Sequence, residues 1–252
     1  MDKFNLYAKY YDLLYSDKDY QGEVDYINSL IKLNSNQNNY TILDLGCGTG
    51  IHANLFTKLD CQVDGVDMSP QMISLAKERY SGNVDLNFYV NSITDFKNDK
   101  HYDVVTSLFH VMSYQNTNLD VIKTFKTAFN HLKKDGLFVF DFWYGPGVLT
   151  DRPESRIKIL EDDFIKVKRQ AKPKLHINEN IVDVNYEIFI NNKENNTFET
   201  INEVHSMRYF FKKEIEFYLE YVGFNVEHFY EWMTSKEPNT KSWNVVVVAK
   251  KV

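Results

Sequence analysis

The chain has 252 residues, of which 43% are hydrophobic and 25% charged, with a formal net charge of -6. This length is enough to fill one large core, or one core with an appended subdomain. The acidic balance argues against a broad nucleic-acid surface, because such surfaces depend on lysine and arginine to neutralise phosphates.

The N-terminal residues MDKFNLYAKYYD carry two aspartates and lack the apolar run of a secretory signal. No apolar stretch approaches the roughly 18 to 20 residues that a membrane-spanning helix needs. Cys47 and Cys61 are the only cysteines, and neither they nor the histidines have the spacing of metal ligands. We therefore expect a cytoplasmic protein in a reducing compartment, with no metal site.

Predicted strands and helices alternate in the first part of the chain. Strands are predicted at YTILDL, CQVDGVD, LNFYV, YDVVTSLF and GLFVFDFW. A helix is predicted before the first strand, at about residues 19–33, and Ile51, Leu55 and Leu59 indicate another after it. Strands separated by helices of these lengths run parallel with right-handed crossovers, which predicts an α/β doubly wound sheet.

Two further helices carry signals at their ends. Ser69 is the predicted N-cap of one, with Pro70 at its first position. Its predicted inner face consists of Met72, Leu75, Ala76 and the stem of Arg79. The other is strongly amphipathic, through Leu119, Ile122, Phe125, Phe129 and Leu132. Lys133 and Lys134 are expected to close it, because cations there interact favourably with the helix dipole.

The pattern changes after Trp143. Three segments alternate with period two and have no helix between them: SRIKILEDDFIKVKRQ, LHINENIVDVNYEIFI and FETINEVHSMRYF. A helix is predicted at Lys212 to Val222, capped by Gly223, and NVEHFYEWM and WNVVVVAKK predict a closing hairpin at a sheet edge. We expect residues 1–142 and 211–252 to form one domain with an N-terminal helical cap. Residues 143–210 would be an inserted antiparallel β lid or substrate subdomain.

The stretch ILDLGCGTG places Gly46, Gly48 and Gly50 between a strand and a helix, where main-chain N–H groups can face a ligand. The spacing departs from the dinucleotide fingerprint, whose third glycine would fall at position 51, and this disfavours NAD. Asp67 ends the next strand, where its carboxylate can accept from both hydroxyls of a ribose. Cys47 has no neighbouring base, so we interpret it as a compact filler of the turn rather than a reactive thiol.

The stretches LDLGCGTG, GVDMSPQM and YDVV, together with the closing hairpin, resemble the class I S-adenosylmethionine-dependent methyltransferases. The resemblance covers nearly the whole chain, and it implies a mostly parallel seven-stranded Rossmann-like sheet and S-adenosyl-L-methionine as cofactor. The implied cofactor-binding residues are Tyr11, Tyr20, Asp44, Gly46, Cys47, Gly48, Gly50, Asp67, Met68, Met72, Ser92, Ile93 and Leu108. In this set the glycines pack the methionine part, Asp67 holds the ribose and Met68 lies against the adenine. Ser92 stands where the family often has an acidic residue for the adenine amino group.

Three side chains are candidates for catalysis. Methyl transfer from a sulfonium depends chiefly on alignment of the acceptor, so a strong base is optional. His110 and Tyr114, in SLFHVMSY after the fourth strand, could bind the acceptor or take its proton, although ordinary loop roles stay open. Tyr11 lies in YAKYYDLLY, where related methyltransferases carry a tyrosine over the cofactor; packing of an amphipathic helix is the alternative.

The stretch DFWYGPG, with the N-terminal helix and the insertion, resembles the N,N-dimethyltransferases of nucleotide-linked deoxy sugars. Trp143 and Tyr144 would offer flat apolar faces, and a pyrophosphate would need cations such as Arg152, Arg208 and Lys241. The favoured acceptor is therefore the amino group of a nucleotide-linked deoxy sugar. A small-metabolite N- or O-methyltransferase and a non-catalytic cofactor-binding protein are the alternatives. We expect a small-molecule substrate, no nucleic-acid or membrane partner, and a monomer or homodimer.

Overall fold

The computed structural model describes residues 10, 13–15, 17–35 and 39–252. Contacts divide the chain into two units. The larger unit is Tyr20–Asp151 with Tyr209–Val252, and the smaller unit is Met1–Asp19 with Arg152–Arg208. This division differs from the predicted domains, because it starts the inserted part at Arg152 and groups the N-terminal residues with it. The role of that part as a lid or substrate subdomain stays a prediction.

The larger unit is built on a doubly wound sheet. Its strands are β1 (Thr41–Leu45), β2 (Gln62–Asp67), β3 (Leu86–Val90), β4 (Tyr102–Ser107), β5 (Leu132–Tyr144), β10 (Phe224–Glu231) and β11 (Asn244–Lys251). Their order is β3-β2-β1-β4-β5-β11-β10, with the first five parallel and β11 antiparallel to both of its neighbours. The prediction of a mostly parallel seven-stranded sheet with a closing hairpin is confirmed.

Helices cover both faces of this sheet. They are α1 (Tyr20–Asn34), α2 (Ile51–Thr57), α3 (Pro70–Arg79), α4 (Asn118–His131), α5 (Gly145–Thr150) and α6 (Lys212–Val222). One face packs α4 and α6 against a row of phenylalanines in which Phe138 and Phe140 stack at 4.5 Å. The other face packs α1, α2 and α3. None of the helices within the described ranges combines the length and the apolar content that crossing a bilayer requires.

Two helices present a different face to the core from the predicted one. In α2 the buried residues are His52, Ala53 and Phe56. The predicted residues Ile51, Leu55 and Leu59 are only partly buried. In α3 the prediction is right for Ala76, which is buried together with Ile73, but Met72 and Leu75 are partly exposed and Arg79 is exposed. Each helix is short, so tertiary contacts rather than the apolar pattern decide its orientation.

The predicted end of α4 is also wrong. The helix stops at His131, and Lys133 and Lys134 are exposed residues of β5. The cation at this helix end comes instead from β11, where Nζ of Lys251 donates to the carbonyls of Phe129 (2.7 Å) and Leu132 (2.8 Å). A positive charge there satisfies carbonyls that have no partner inside the helix.

The smaller unit is an antiparallel meander, as predicted. Its strands are β6 (Arg156–Glu161), β7 (Ile165–His176), β8 (Ile181–Asn192) and β9 (Thr197–Phe210), which pair in chain order. Tyr10 and Leu14 pack on one face of this meander. Arg169 lies 4.7 Å from the ring centroid of Tyr186 and hydrogen bonds with Tyr10 and Tyr15. The last two residues of β9 belong to the larger unit and pair with the end of β5.

Candidate active site

The glycine segment turns the chain sharply at the carboxyl end of β1, beside the point where the strand order reverses. Such switch points are where open parallel sheets bind ligands. Gly46 and Gly50 have φ of 86° and 77°, which L side chains rarely adopt. The N–H groups of Gly46 and Cys47 donate to the carbonyl of Val66 at 2.7 and 3.0 Å, so the turn is fixed to β2.

Side chains of the protein itself fill the space beside two of these glycines. A Cβ atom at Gly46 would lie 2.5 Å from Cγ1 of Val111, in the loop after β4. A Cβ atom at Gly50 would lie 2.8 Å from Cε1 of Phe88 on β3. Internal packing therefore requires glycine at both positions, whether or not a ligand lies over the turn.

Asp67 ends β2 with its carboxylate next to this turn. One oxygen accepts the N–H of Gly48 at 3.0 Å, and the other accepts the N–H of Ser69 at 2.8 Å. Burial raises the pKa of Asp67, and the two N–H donors partly offset this effect. Because each carboxylate oxygen has two lone pairs, the group keeps acceptor capacity for two more donors.

Asp44 and Cys47 lie beneath the turn. Asp44 is buried and accepts the Thr106 hydroxyl at 2.8 Å; burial raises the pKa of its carboxyl. Burial also raises the pKa of the Cys47 thiol well above its ordinary value, and the nearby carboxylates of Asp44 and Asp67 add to the effect. A Cβ atom at Gly65 would lie 2.8 Å from Sγ of Cys47. The thiol thus stays protonated and packs as a filler, which supports that interpretation.

A buried carboxylate of β5 ties the loop after β4 to that strand. Asp141, whose side chain is fully buried, accepts the N–H of His110 with both oxygens, at 3.2 and 3.1 Å. Its Oδ2 atom also lies 2.7 Å from Nδ1 of the His110 ring, an ion-pair contact. A second tie runs from the N–H of Trp143 to the hydroxyl of Ser113 at 3.0 Å. The histidine is therefore held in place from the strand next to its own.

Four aromatic rings form a row at this edge of the sheet, which we call the aromatic row: Phe109, His110, Trp143 and Trp243. Successive ring centroids are 5.4, 6.3 and 5.4 Å apart, and each residue is partly exposed. The indole N–H of Trp243 donates to the carbonyl of Asp151 at 3.1 Å, which fixes the end of the row. Successive rings are tilted by 41°, 58° and 73°, so the row offers several aromatic faces and edges next to one titratable ring.

Comparisons with known proteins converge on one family. The family model described as "Methyltransferase domain" matches residues 42–136. The protein YqeM of Bacillus subtilis (strain 168), named as a methyltransferase, is 29% identical over 215 residues, 83% of each chain. A dTDP-3-amino-3,4,6-trideoxy-alpha-D-glucopyranose N,N-dimethyltransferase of Streptomyces venezuelae is 28% identical over 147 residues, 58% of this chain and 60% of that protein. The crystal structure of an S-adenosylmethionine-dependent methyltransferase from Clostridium acetobutylicum ATCC 824 has a TM-score of 0.82 at 22% identity, covering 99% of each chain.

The matched residues include the glycine turn and Asp67, the features that the geometry singles out. The chain is an S-adenosylmethionine-dependent methyltransferase. S-adenosyl-L-methionine is its cofactor, and the residues at the ends of β1 and β2 fit this group. A carboxylate with spare acceptor sites suits a ribose diol. In the left-handed turn beside it, Gly46 and Gly50 have no side chains that would cover the main chain.

The other predicted cofactor residues of the methyltransferase differ in whether their side chains or only their main-chain atoms can contact a ligand. Met68 is 76% exposed directly after Asp67, and Met72 is partly exposed in the first turn of α3. The hydroxyl of Ser92 lies 2.8 Å from that of Thr94 and accepts the Thr94 N–H at 3.3 Å. The side chains of Ile93 and Leu108 are buried in the cores, which leaves only their main chain for a ligand.

The N-terminal candidates lie partly outside the described residues. Tyr20 begins α1, and its ring packs edge-on against His52 at 5.0 Å. His52 in turn lies 2.7 Å from the carboxylate of Glu23, with both side chains nearly buried. This contact joins α1 to the helix that follows the glycine turn. Tyr11, the third catalytic candidate, lies outside the described residues, so its role stays a prediction.

The predicted acceptor wall is partly corrected. Trp143 belongs to the aromatic row, as a wall residue should. The ring of Tyr144 instead packs edge-on against Phe229 at 5.9 Å in the core, and burial raises the pKa of its hydroxyl. Alternation along β5 explains this difference, since neighbouring residues of a strand point to opposite faces. Tyr144 is therefore a core residue rather than a wall of the site.

The predicted phosphate contacts are distributed over both units. Arg152 is exposed and Arg208 is buried, and both belong to the smaller unit. Lys241 is exposed in the larger unit, and its main-chain N–H donates to the side chain of Asn239 at 2.9 Å. Their contact with an acceptor phosphate stays a prediction. Within the described part of the chain, three or more His, Cys, Asp or Glu side chains are nowhere grouped as metal ligands would be.

Sequence reasoning missed Asp141 and Trp243. A signal for Asp141 was present, because LFVFDFW places one carboxylate in an otherwise apolar strand, and a buried charge needs a partner. Nothing in the sequence identified the partner as a residue 31 positions earlier. Trp243 precedes β11, and only the pairing of β11 with β5 brings it beside Trp143.

Proposed function

We propose that this methyltransferase transfers a methyl group to the amino group of a nucleotide-linked deoxy sugar. The observation that carries the proposal is the aromatic row, where a histidine ring lies between the tilted rings of Phe109 and Trp143 at the carboxyl ends of β4 and β5. Their faces suit a deoxy sugar or a base, and the ring nitrogen suits an amine. The relative from Streptomyces venezuelae, named for this chemistry, supports the choice of acceptor.

The bound cofactor supplies an electrophilic methyl group on a positively charged sulfur. Asp67 would accept hydrogen bonds from the ribose hydroxyls, and the main chain of the glycine turn would contact the methionine part. Met68 would cover the adenine, and Ser92 would hydrogen bond to its edge. These roles require no movement of the tie between Asp67 and the turn.

The acceptor amine reacts only when its nitrogen is neutral. His110 would take a proton from the acceptor ammonium, and Tyr114, 46% exposed at the end of the short helical turn Val111–Tyr114, would hydrogen bond to the acceptor. General-base help of this kind contributes roughly 10²- to 10⁴-fold. Trp143 and Trp243 would orient the acceptor and exclude water, and alignment would contribute the larger share. Tyr11 would stand over the cofactor.

A different small metabolite is the second candidate acceptor. The observation that favours it is that Lys241 is the sole one of the three predicted phosphate contacts in the unit that carries the aromatic row. We further propose that the enzyme acts in the cytoplasm on a small molecule, without nucleic acid or membrane, as a monomer or homodimer. Light scattering of the purified protein would measure its assembly state.

A panel of acceptors with methyl-labelled S-adenosylmethionine tests the proposal. The panel holds a dTDP-linked amino deoxy sugar, the same amino sugar without the nucleotide, a dTDP-sugar with a hydroxyl in place of the amine, and glycine. We expect label only in the first compound, or far more in it than in the second. Label in glycine but not in nucleotide sugars would overturn the proposal in favour of the second candidate.

A further inference from the structure

The carboxylate of Asp141 contacts the ring of His110, a candidate catalytic residue of this methyltransferase. We propose that Asp141 is a positioning residue, which orients His110 so that Nδ1 faces the carboxylate and Nε2 faces the acceptor. The proposal deepens the proposed function and rests on it for the role of His110 as the base. Asp141 itself would touch neither substrate nor cofactor.

Because Asp141 is buried, its negative charge needs hydrogen-bond donors. Asp141 is fully buried in β5 and pairs in register with Val246 of β11, which is also fully buried. A charge in such surroundings persists only when donors satisfy it. The hydrogen-bond donor that the structure gives is the main-chain N–H of His110. Nδ1 of the same residue lies 2.7 Å from Oδ2 as a charge contact, without the alignment of a hydrogen bond. A buried carboxylate is therefore directed entirely at one residue.

The backbone of the loop points to the same residue. Phe109 and His110 are consecutive non-glycine residues with φ of 66° and 63°. This conformation is uncommon for an aromatic residue, and it persists where the surroundings enforce it, often at functional sites. Here Asp141 holds the His110 N–H, and the carbonyl of His110 accepts the N–H of Ser113 at 2.9 Å. The enforced conformation is the one that brings the ring to the carboxylate.

The contact determines which ring nitrogen is free. A neutral imidazole carries one N–H. The 2.7 Å contact lacks the alignment of a hydrogen bond, but a lone pair on Nδ1 would repel the carboxylate at that distance, so we infer that Nδ1 carries the hydrogen. Nε2 then keeps its lone pair. A proton leaving the acceptor ammonium would break its N–H bond there and form one at Nε2. The carboxylate of Asp141 would stabilise the imidazolium until the proton passes to solvent.

Two matched substitutions separate orientation from mere loop support. Asp141→Asn keeps the size and one oxygen to accept the His110 N–H, but it removes the charge. His110→Asn suits a left-handed backbone and keeps a side-chain donor, but it removes the base. The double variant completes a cycle, in which coupling shows whether Asp141 acts through His110.

We expect ¹⁵N spectra of the imidazole in the free enzyme to show hydrogen on Nδ1 of neutral His110, and Asp141→Asn to shift hydrogen toward Nε2. We expect Asp141→Asn to lower kcat about 10- to 100-fold with little change in KM for the cofactor. In the His110→Asn background the same change should alter kcat less than about 2-fold.

Hydrogen on Nε2 in the unsubstituted enzyme would overturn the proposal. The ¹⁵N spectrum of that enzyme tests the proposal even if Asp141→Asn does not fold. An equal loss of kcat in both backgrounds would also overturn it, because Asp141 would then only support the loop. The spectra need no acceptor. A failure to methylate amino sugars would thus count against the proposed function and leave the orientation of the ring to be decided by the spectra.

Discussion

Replacing Gly50 by alanine adds one methyl group where both the backbone and the packing oppose it. The residue has φ of 77°, and the added Cβ would lie 2.8 Å from Cε1 of Phe88 and 3.3 Å from Cβ of Ala76. The left-handed backbone alone costs alanine roughly 1 to 2 kcal/mol. Overpacking of a buried ring adds about 1 to 3 kcal/mol. Lower entropy of the unfolded chain returns roughly 0.4 to 1 kcal/mol.

We therefore expect Gly50→Ala to lower the free energy of unfolding by about 2 to 4 kcal/mol, measured by urea denaturation. Gly82→Ala is the matched control, because a Cβ atom there meets nothing within 4 Å and its φ is not in the left-handed region. That change should stay within about 0.5 kcal/mol.

A second background isolates the overlap with the ring. In Phe88→Leu the ring atoms are absent, so the cost of Gly50→Ala should fall to the backbone part less the entropy return, roughly 0 to 1.6 kcal/mol. A cost below about 1 kcal/mol in the original chain, or the same cost in both backgrounds, would refute the packing argument.

Three further predictions concern the site. Asp67→Ala should weaken cofactor binding about 10- to 100-fold in calorimetry, since charge-assisted hydrogen bonds are lost; equal affinity would show that the ribose assignment is wrong. Because burial raises the pKa of Asp67, cofactor affinity of the unsubstituted enzyme should begin to fall on acidification at a higher pH than an exposed aspartate would give. An affinity that holds constant down to the ordinary aspartate range would contradict this. Tyr114→Phe should lower kcat and spare cofactor affinity; unchanged turnover would remove its hydroxyl from catalysis.

The order of strands and helices could be read from the sequence because each depends on local patterns. Apolar runs next to glycines indicated β1 and β2. The predicted N-cap at Ser69, followed by Pro70, is confirmed, because the Ser69 hydroxyl accepts the N–H of Met72 at 3.3 Å. Period-two alternation identified the meander. Asp67 was placed correctly at the end of β2, since strand length and spacing settle that position.

The predictions that were wrong or missing concern contacts between residues that are distant in the sequence. Lys251 caps α4 in place of the expected lysines because β11 lies beside β5, a pairing that helix signals do not contain. The contact of Asp141 with His110 joins strand β5 to the loop after β4, and the two meet only in the folded sheet. The sequence pattern drew attention to the glycines. It did not predict that Val111 and Phe88 pack against them, because that packing depends on how the strands pair.

The ring of Phe88 also leaves room only for glycine at a position outside the turn. Its ring lies against Gly50 and also against Gly65 of β2, where a Cβ atom would lie 2.9 Å from Cδ1 of Phe88 as well as near Cys47. Four positions, on two strands and the glycine turn, therefore pack against one another in the same small space. Across an alignment of relatives they should covary, with alanine at 65 occurring where the residues at both 88 and 47 are smaller. Redesign of cofactor preference would have to change them as a set.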